Sequence, residues 1–294
     1  MKTPVFTGSA VALITPFTEN GVDYPKLAEL VEYHIANKTD AIVVCGTTGE
    51  PSTMPDPEHK AVMKFVIEKV AKRIPVIAGT GSNDTAHAIE LSTYAEEIGA
   101  DAVLFVAPYY NKTTQKGLIA HTEAVAKSIK IPMILYNIPG RTGGLGFSIE
   151  TLKTLSKLPN IVGVKEASGD LAFAARVAEE TNLALYAGND DIIVPILSIG
   201  GQGVISVVAN IMPEETHNIC QKFFDGDVNG SKDDFLKILK LVRSLFIEVN
   251  PIPIKTAMNL MDFKVGPLRM PLCDMTEENL ATLKSVLAEY GLLK

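Results

Sequence analysis

The chain has no tryptophan, and only three of its 294 residues are cysteine. Cys45, Cys220 and Cys273 are odd in number and far apart, which argues against a disulfide framework or a cysteine-based zinc cluster. A reducing, cytoplasmic setting is the simple expectation. The five histidines, His34, His59, His87, His121 and His217, show no spacing of the His-Glu-x-x-His kind, so no metal site is expected. No apolar run approaches the roughly 18–20 uncharged residues of a membrane span. Residues Met1–Gly8 contain no signal-peptide core. The net charge of −7, with no basic run, points away from nucleic acid. Neither a membrane nor a nucleic acid is therefore an expected partner.

What is plentiful is apolar surface. Hydrophobic residues make up 47% of the chain and charged ones 21%, enough for one large α/β domain or two ordinary ones. Short apolar runs alternate with helical patterns. The runs read as strands at Ser9–Thr15, Ala41–Cys45, Val76–Ala78, Ala102–Val106, Met133–Asn137, Ile161–Lys165, Ala184–Tyr186 and Gly203–Val207. Between them, Leu27, Leu30, Val31, His34 and Ile35 share a helical face, as do Val62, Phe65, Val66 and Val70. Helix-start signals stand at Asp56 before Pro57, at Asp84, at Ser148 and at Pro213. Eight strands separated by single helices predict a (β/α)8 TIM barrel, for which about 250 residues is typical. An open doubly wound sheet is the competing architecture, but the regular repeat without a composition break favours the closed one.

Beyond the eighth strand and its helix the pattern turns purely helical. Phe235, Ile238, Leu239, Val242, Leu245, Phe246 and Val249 form an amphipathic stripe. Pro251 and Pro253 break the chain before a helix at Lys255–Met261, and a last helix starts at Thr276 and stops at Gly291. The expected division is a catalytic barrel over 1–225 and a C-terminal helical region over 226–294. The latter is short for an independent core and is expected to lean on the barrel or on another subunit.

In a barrel the carboxyl ends of the strands define the site. The sixth strand ends in Lys165, followed by Glu166-Ala167-Ser168-Gly169-Asp170, a turn into a helix. Desolvation disfavours a charged amine, and a neutral amine attacks carbonyls, although a lone lysine at a strand end is ordinarily just a solvated one. The second strand ends in Gly46-Thr47-Thr48-Gly49-Glu50, where backbone N–H groups and two hydroxyls could cradle a carboxylate, or simply make a turn. The fourth ends in Pro108-Tyr109-Tyr110-Asn111 and the fifth in Tyr136-Asn137-Ile138-Pro139-Gly140-Arg141. Tyrosines often cap strands for packing alone, whereas Arg141 beside glycines suits bidentate binding of a carboxylate. It is the convergence of lysine, tyrosines, threonines and arginine from four strand ends that points to chemistry. Ser198-Ile199-Gly200-Gly201-Gln202-Gly203 precedes a strand instead of following one, and reads as a helix stop, not a phosphate loop. Asp190-Asp191 lacks a third metal ligand and reads as a helix start.

On these motifs the chain resembles the class I aldolase-like family of N-acetylneuraminate lyase and dihydrodipicolinate synthase. The Gly46–Glu50 loop, Tyr109-Tyr110-Asn111-Lys112, the Tyr136–Thr142 segment, Gly163-Val164-Lys165-Glu166-Ala167 and Asn250-Pro251-Ile252-Pro253-Ile254-Lys255 fit in order and spacing, over essentially the whole chain. Sialic-acid lyases commonly carry Ser in place of Thr47 and lack the arginine at 141, so the resemblance is to the synthase branch. A keto-deoxy-gluconate-type aldolase would not need Arg141 here, and a non-catalytic barrel would be expected to lose Lys165 or Tyr136.

The resemblance implies a lyase, acting by condensation of pyruvate with L-aspartate 4-semialdehyde through a Schiff base on Lys165, in the diaminopimelate route to lysine. It implies Tyr136 as general acid and base, relayed through Thr47 and Tyr110. Thr48 would hold the pyruvate carboxylate and Arg141 the semialdehyde's, with Gly188 and Ile205 lining the pocket. No cofactor and no metal would take part, because the iminium itself withdraws electrons. Tyr110 would complete the site of a neighbouring subunit in a homotetramer, a dimer of dimers. Lysine-inhibited relatives place Glu where His87 stands, near His59, so lysine feedback is expected to be weak or absent.

Overall fold

The computed structural model describes residues 2–293. Eight parallel strands close into a barrel: β1 (Gly8–Ala12), β2 (Ala41–Val44), β3 (Val76–Gly79), β4 (Ala102–Val106), β5 (Met133–Asn137), β6 (Ile161–Glu166), β7 (Ala184–Ala187) and β8 (Gly203–Ser206). Each strand pairs with its neighbours in sequence, and β8 closes on β1 with Gly8 opposite Gly203 and Ala10 opposite Ile205. The closure is tight: a Cβ on Gly203, whose φ is +146°, would lie 1.9 Å from the Gly8 carbonyl oxygen. The strands read as continuous apolar runs because both faces are covered, the outer by helices and the inner by other strands. Ala10, Val43, Ile77, Leu104, Ile134 and Ile205 fill the barrel interior. Phe6 enters from the amino-terminal end, stacking on Tyr186 at 4.5 Å, and its carbonyl accepts the Tyr186 hydroxyl at 2.9 Å.

Local sequence sets the helix starts. Asp84 accepts from the Ala86 N–H, Ser148 from Thr151 and Thr276 from Asn279, each satisfying an otherwise orphaned donor. Asp56 does not cap: the helix Asp56–Val70 begins on it, after Pro55. The first strand is shorter than the expected Ser9–Thr15. Its exit is held by other partners, Ile14 N–H on Asn210 Oδ1 at 3.2 Å and Thr15 Oγ1 on the Gly49 carbonyl at 2.7 Å. A small hairpin, Phe17–Thr18 with Gly21–Val22, follows it. Asn20-Gly21 was its signal.

After β8, helix Pro213–Phe224 completes the barrel layer, and helices Val228–Ser244, Ile252–Leu260 and Glu277–Glu289 form the C-terminal region. Their buried residues, among them Phe235, Ile238, Val242, Ala257 and Leu283, join the same apolar cluster as the outer barrel face. The expected stripe ends early, since the helix stops at Ser244 and leaves Phe246 43% and Val249 57% exposed. Pro253 does not break the chain: it sits in the first turn of Ile252–Leu260, where no N–H is needed. The turn at Ser198–Gly203 is a helix stop, with Gly200 at φ +95°.

Candidate active site

Tyr136 and Lys165 are register partners on β5 and β6. Both point into the barrel mouth, 6% and 5% exposed, with Lys165 Nζ 4.3 Å from the centre of the Tyr136 ring. Side chains alternate along a strand, so the next residues, Asn137 and Glu166, face the other way. Asn137 Nδ2 donates to Glu166 Oε2 at 2.7 Å, while Glu166 Oε1 accepts from the Ser168 N–H at 2.6 Å. Asn137 Oδ1 in turn accepts from the Phe147 N–H at 3.0 Å. Burial pushes the Glu166 carboxyl above its ordinary range, and the hydrogen bonds from Ser168 and Asn137 oppose that shift. The pair fixes the relative height of Lys165 and Tyr136 from behind.

The loop after β2 is bent by two residues in the left-handed region, Cys45 at φ 54° and Glu50 at φ 56°. Neither is glycine, so the conformation costs on the order of 1 kcal/mol each and must be held by its surroundings. The holding groups come from the C-terminal region. Glu50 Oε1 accepts from Lys255 Nζ at 2.7 Å, with both side chains 1% exposed, and Glu50 Oε2 accepts from the Arg269 N–H at 2.9 Å. Burial pulls the Lys255 amine down to about 8, against the attraction of Glu50. Lys255 Nζ and the Arg269 guanidinium also lie 4.2 and 3.9 Å from the Phe17 ring centre. Within the loop, Thr48 is 2% exposed, and its Oγ1 accepts from Asn250 Nδ2 at 3.0 Å.

A cavity of about 450 Å³ opens at this end, lined by Thr47, Tyr136 and Arg141, with Tyr109, His59 and His87 on its wall. Arg141 is exposed at the mouth and donates from Nη2 to the Asn250 carbonyl at 2.9 Å. Gly188 follows β7, where its N–H donates to the Glu166 carbonyl at 2.7 Å and a Cβ would lie 2.6 Å from that of Ala167. Only glycine lets the chain pass this close to the lysine strand. Ile205 is fully buried in β8 and belongs to the interior cluster that includes Tyr136.

Tyr110 stands apart. It is 91% exposed at φ 66°, and its hydroxyl makes no hydrogen bond among the described residues. Nor do the hydroxyls of Thr47 and Tyr136 bond to each other, so the expected relay is not closed within one chain.

Two groups escaped the sequence reading. Asp190 is not a helix-start residue; it is 1% exposed, and its Oδ2 accepts from the N–H groups of Val207 and Val208 at 3.0 and 2.9 Å. It ties the end of β8, and burial raises its carboxyl, against hydrogen bonds from Ser206, Val208 and Val207 and the charge of Lys165. The Asn250 and Lys255 contacts were also missed, although the motif containing them was visible. On the cavity wall, His87 Nε2 lies 3.0 Å from Asp56 Oδ1, and its Nδ1 3.2 Å from Ser82 Oγ. Burial lowers the neighbouring His59.

Residues 5–290 match the model of the dihydrodipicolinate synthetase family. The chain belongs to that family. It is 60% identical to a 4-hydroxy-tetrahydrodipicolinate synthase of Clostridium perfringens, over 99% of this chain and 100% of the relative. It is 57% identical to the protein of that name from Acetivibrio thermocellus, over the full length of both. Among solved structures, dihydrodipicolinate synthase from Aquifex aeolicus superposes with a TM-score of 0.96 at 43% identity, covering 98% of this chain and 100% of the other.

Proposed function

We propose that the chain is the lyase that condenses pyruvate with L-aspartate 4-semialdehyde, the first committed reaction of a diaminopimelate route to lysine, through a Schiff base on Lys165. The observation that carries the reading is the Lys165–Tyr136 pair, an amine against a phenol ring at 4.3 Å, facing a mouth that also holds Thr47 and Arg141. Full-length relatives at 57–60% identity bear the name of this activity.

The neutral amine of Lys165 adds to the pyruvate ketone, and loss of water gives an iminium. The iminium draws electrons from the adjacent methyl, which gives up a proton to become an enamine. That carbon then bonds to the semialdehyde's aldehyde carbon, whose oxygen takes a proton. The semialdehyde's own amino group displaces Lys165 at the former ketone carbon, closing the ring and freeing the enzyme. The lysine provides the electron sink, so the sequence of steps calls for no metal and no cofactor.

Tyr136 is assigned the proton transfers, through Thr47 and Tyr110 of the partner subunit. Positioned acid–base groups of this kind contribute about 10²–10⁴-fold. Thr48 holds the pyruvate carboxylate and Arg141 that of the semialdehyde, while Gly188 and Ile205 shape the pocket. The exposure of Tyr110 supports a site shared between subunits, and hence a homotetramer built as a dimer of dimers. We assign catalysis to residues 1–225, bracing of the site to the appendage 226–294, and a cytoplasmic location to the whole.

The test is borohydride reduction with pyruvate, followed by peptide mapping, and then consumption of pyruvate on adding the semialdehyde. An adduct on Lys165 supports the mechanism; an adduct elsewhere, or none, overturns it.

A further inference from the structure

We propose that Asn250 is a positioning residue for substrate carboxylates, acting through the Thr48 hydroxyl. The proposal rests on the reading above, in which Thr48 holds the pyruvate carboxylate. Asn250 lies in the connection between helices Val228–Ser244 and Ile252–Leu260, outside the barrel, yet it is only 8% exposed. Its Nδ2 donates to Thr48 Oγ1 at 3.0 Å, and its carbonyl accepts from Arg141 Nη2 at 2.9 Å. One residue of the C-terminal region thus touches both side chains assigned to carboxylate binding.

The direction of the first bond matters. A threonine hydroxyl has one proton to give and lone pairs to receive with. Asn250 occupies the receiving side, so the proton of Thr48 is left to donate. Thr48 Oγ1 donates to no acceptor among the described residues. If Thr48 instead donated to the amide oxygen, it would turn lone pairs toward an incoming carboxylate and repel it. The amide orientation is favoured by its own bookkeeping. As it stands, Asn250 leaves one buried acceptor, Oδ1, without a partner. The flipped amide would leave buried N–H donors unpaired instead, and orphaned donors are the rarer and costlier defect.

The contact also explains why a short loop bent at two non-glycine residues presents Thr48 reproducibly. Lys255 holds Glu50 two residues further on, so the loop is fixed at its end and, through Asn250, at its centre.

The experiment compares borohydride trapping of Lys165 by pyruvate and by acetone, which has a methyl group where pyruvate has the carboxylate. It is run on the wild-type chain and on Asn250→Ala and Asn250→Asp. The alanine variant is expected to raise half-saturating pyruvate about tenfold, the scale of a lost hydrogen bond to a charged group, with acetone trapping changed by less than about twofold. The aspartate variant is expected to do worse with pyruvate, because an ionised carboxylate takes the Thr48 proton, and again to spare acetone. A residue with only a structural role would instead impair both ketones in parallel. Parallel loss, no loss, or failure of both variants to fold overturns the proposal. Failure of the wild-type chain to trap pyruvate on Lys165 overturns the underlying reading instead, so the two failures are distinct.

Discussion

Asn137 and Glu166 hydrogen-bond side chain to side chain at 2.7 Å immediately after the paired Tyr136 and Lys165. A barrel strand cannot slide by one residue without turning every side chain to the opposite face. This bond therefore guards the one register in which amine and phenol meet. Asn137→Ala is expected to destabilise the chain by about 1–3 kcal/mol, since it strips a partner from a buried carboxylate. Denaturant unfolding measures the loss, and an unchanged midpoint would show the bond to be dispensable.

The Glu50–Lys255 pair is buried on both sides. Lys255→Met is expected to cost about 3–5 kcal/mol, because it strands the Glu50 carboxylate. Adding Glu50→Gln should recover much of that stability while leaving activity low, as the loop loses its tether to the appendage. Urea midpoints of the single and double variants decide it: a double variant no better than the single would contradict the account.

His34 is fully buried, its Nδ1 3.0 Å from Thr39 Oγ1 and its Nε2 without a partner. Burial lowers its ionisation to about 3 from an ordinary 6.5. Between those values the unfolded chain binds a proton that the folded chain refuses, so stability is present above pH 6.5 and falls as pH drops toward 3. His34→Gln should flatten the acid limb of a stability-versus-pH curve. A limb of unchanged slope would locate the acid sensitivity elsewhere.

Because Tyr110 is 91% exposed in the single chain, Tyr110→Phe should leave the unfolding midpoint within about 0.5 kcal/mol of wild type. Activity should fall about 10²-fold or more through kcat. Co-refolded with Lys165→Ala, it should regain activity, since each mixed pair then contains one site with both groups intact. No recovery in the mixture would rule out a shared site.

His87 already engages Asp56 and Ser82 on the cavity wall, leaving no free carboxylate at position 87 for an amino group. Steady-state rates are expected to hold up under lysine, and half-inhibition at low-millimolar concentration or below would refute this. His87→Glu should increase sensitivity.

The barrel was legible because eight apolar runs recur at even spacing, and strands buried on both faces announce themselves by composition. Lys165, Tyr136 and Arg141 were legible because strand ends are where a barrel keeps its chemistry. What stayed hidden depends on contacts between distant parts of the chain. Nothing local marks Asn250 as a partner of Thr48, or Lys255 as the counter-ion of Glu50. Asp190 looked like a helix start because acidic residues commonly stand there, while its carboxylate serves the end of β8. Phe246 and Val249 fit a helical period, but a period says nothing about where the helix stops.

The tether between Asn250, Lys255 and the loop that follows β2 also gives the chain an order of completion. A nascent chain has all eight strands and Lys165 by Ser206, and the sheet can close at that point. The loop that grips the carboxylate is not held until the residues beyond 250 arrive and dock. Competence therefore comes at the end of synthesis. A fragment cut short after the barrel would present a reactive amine without the means to choose its ketone.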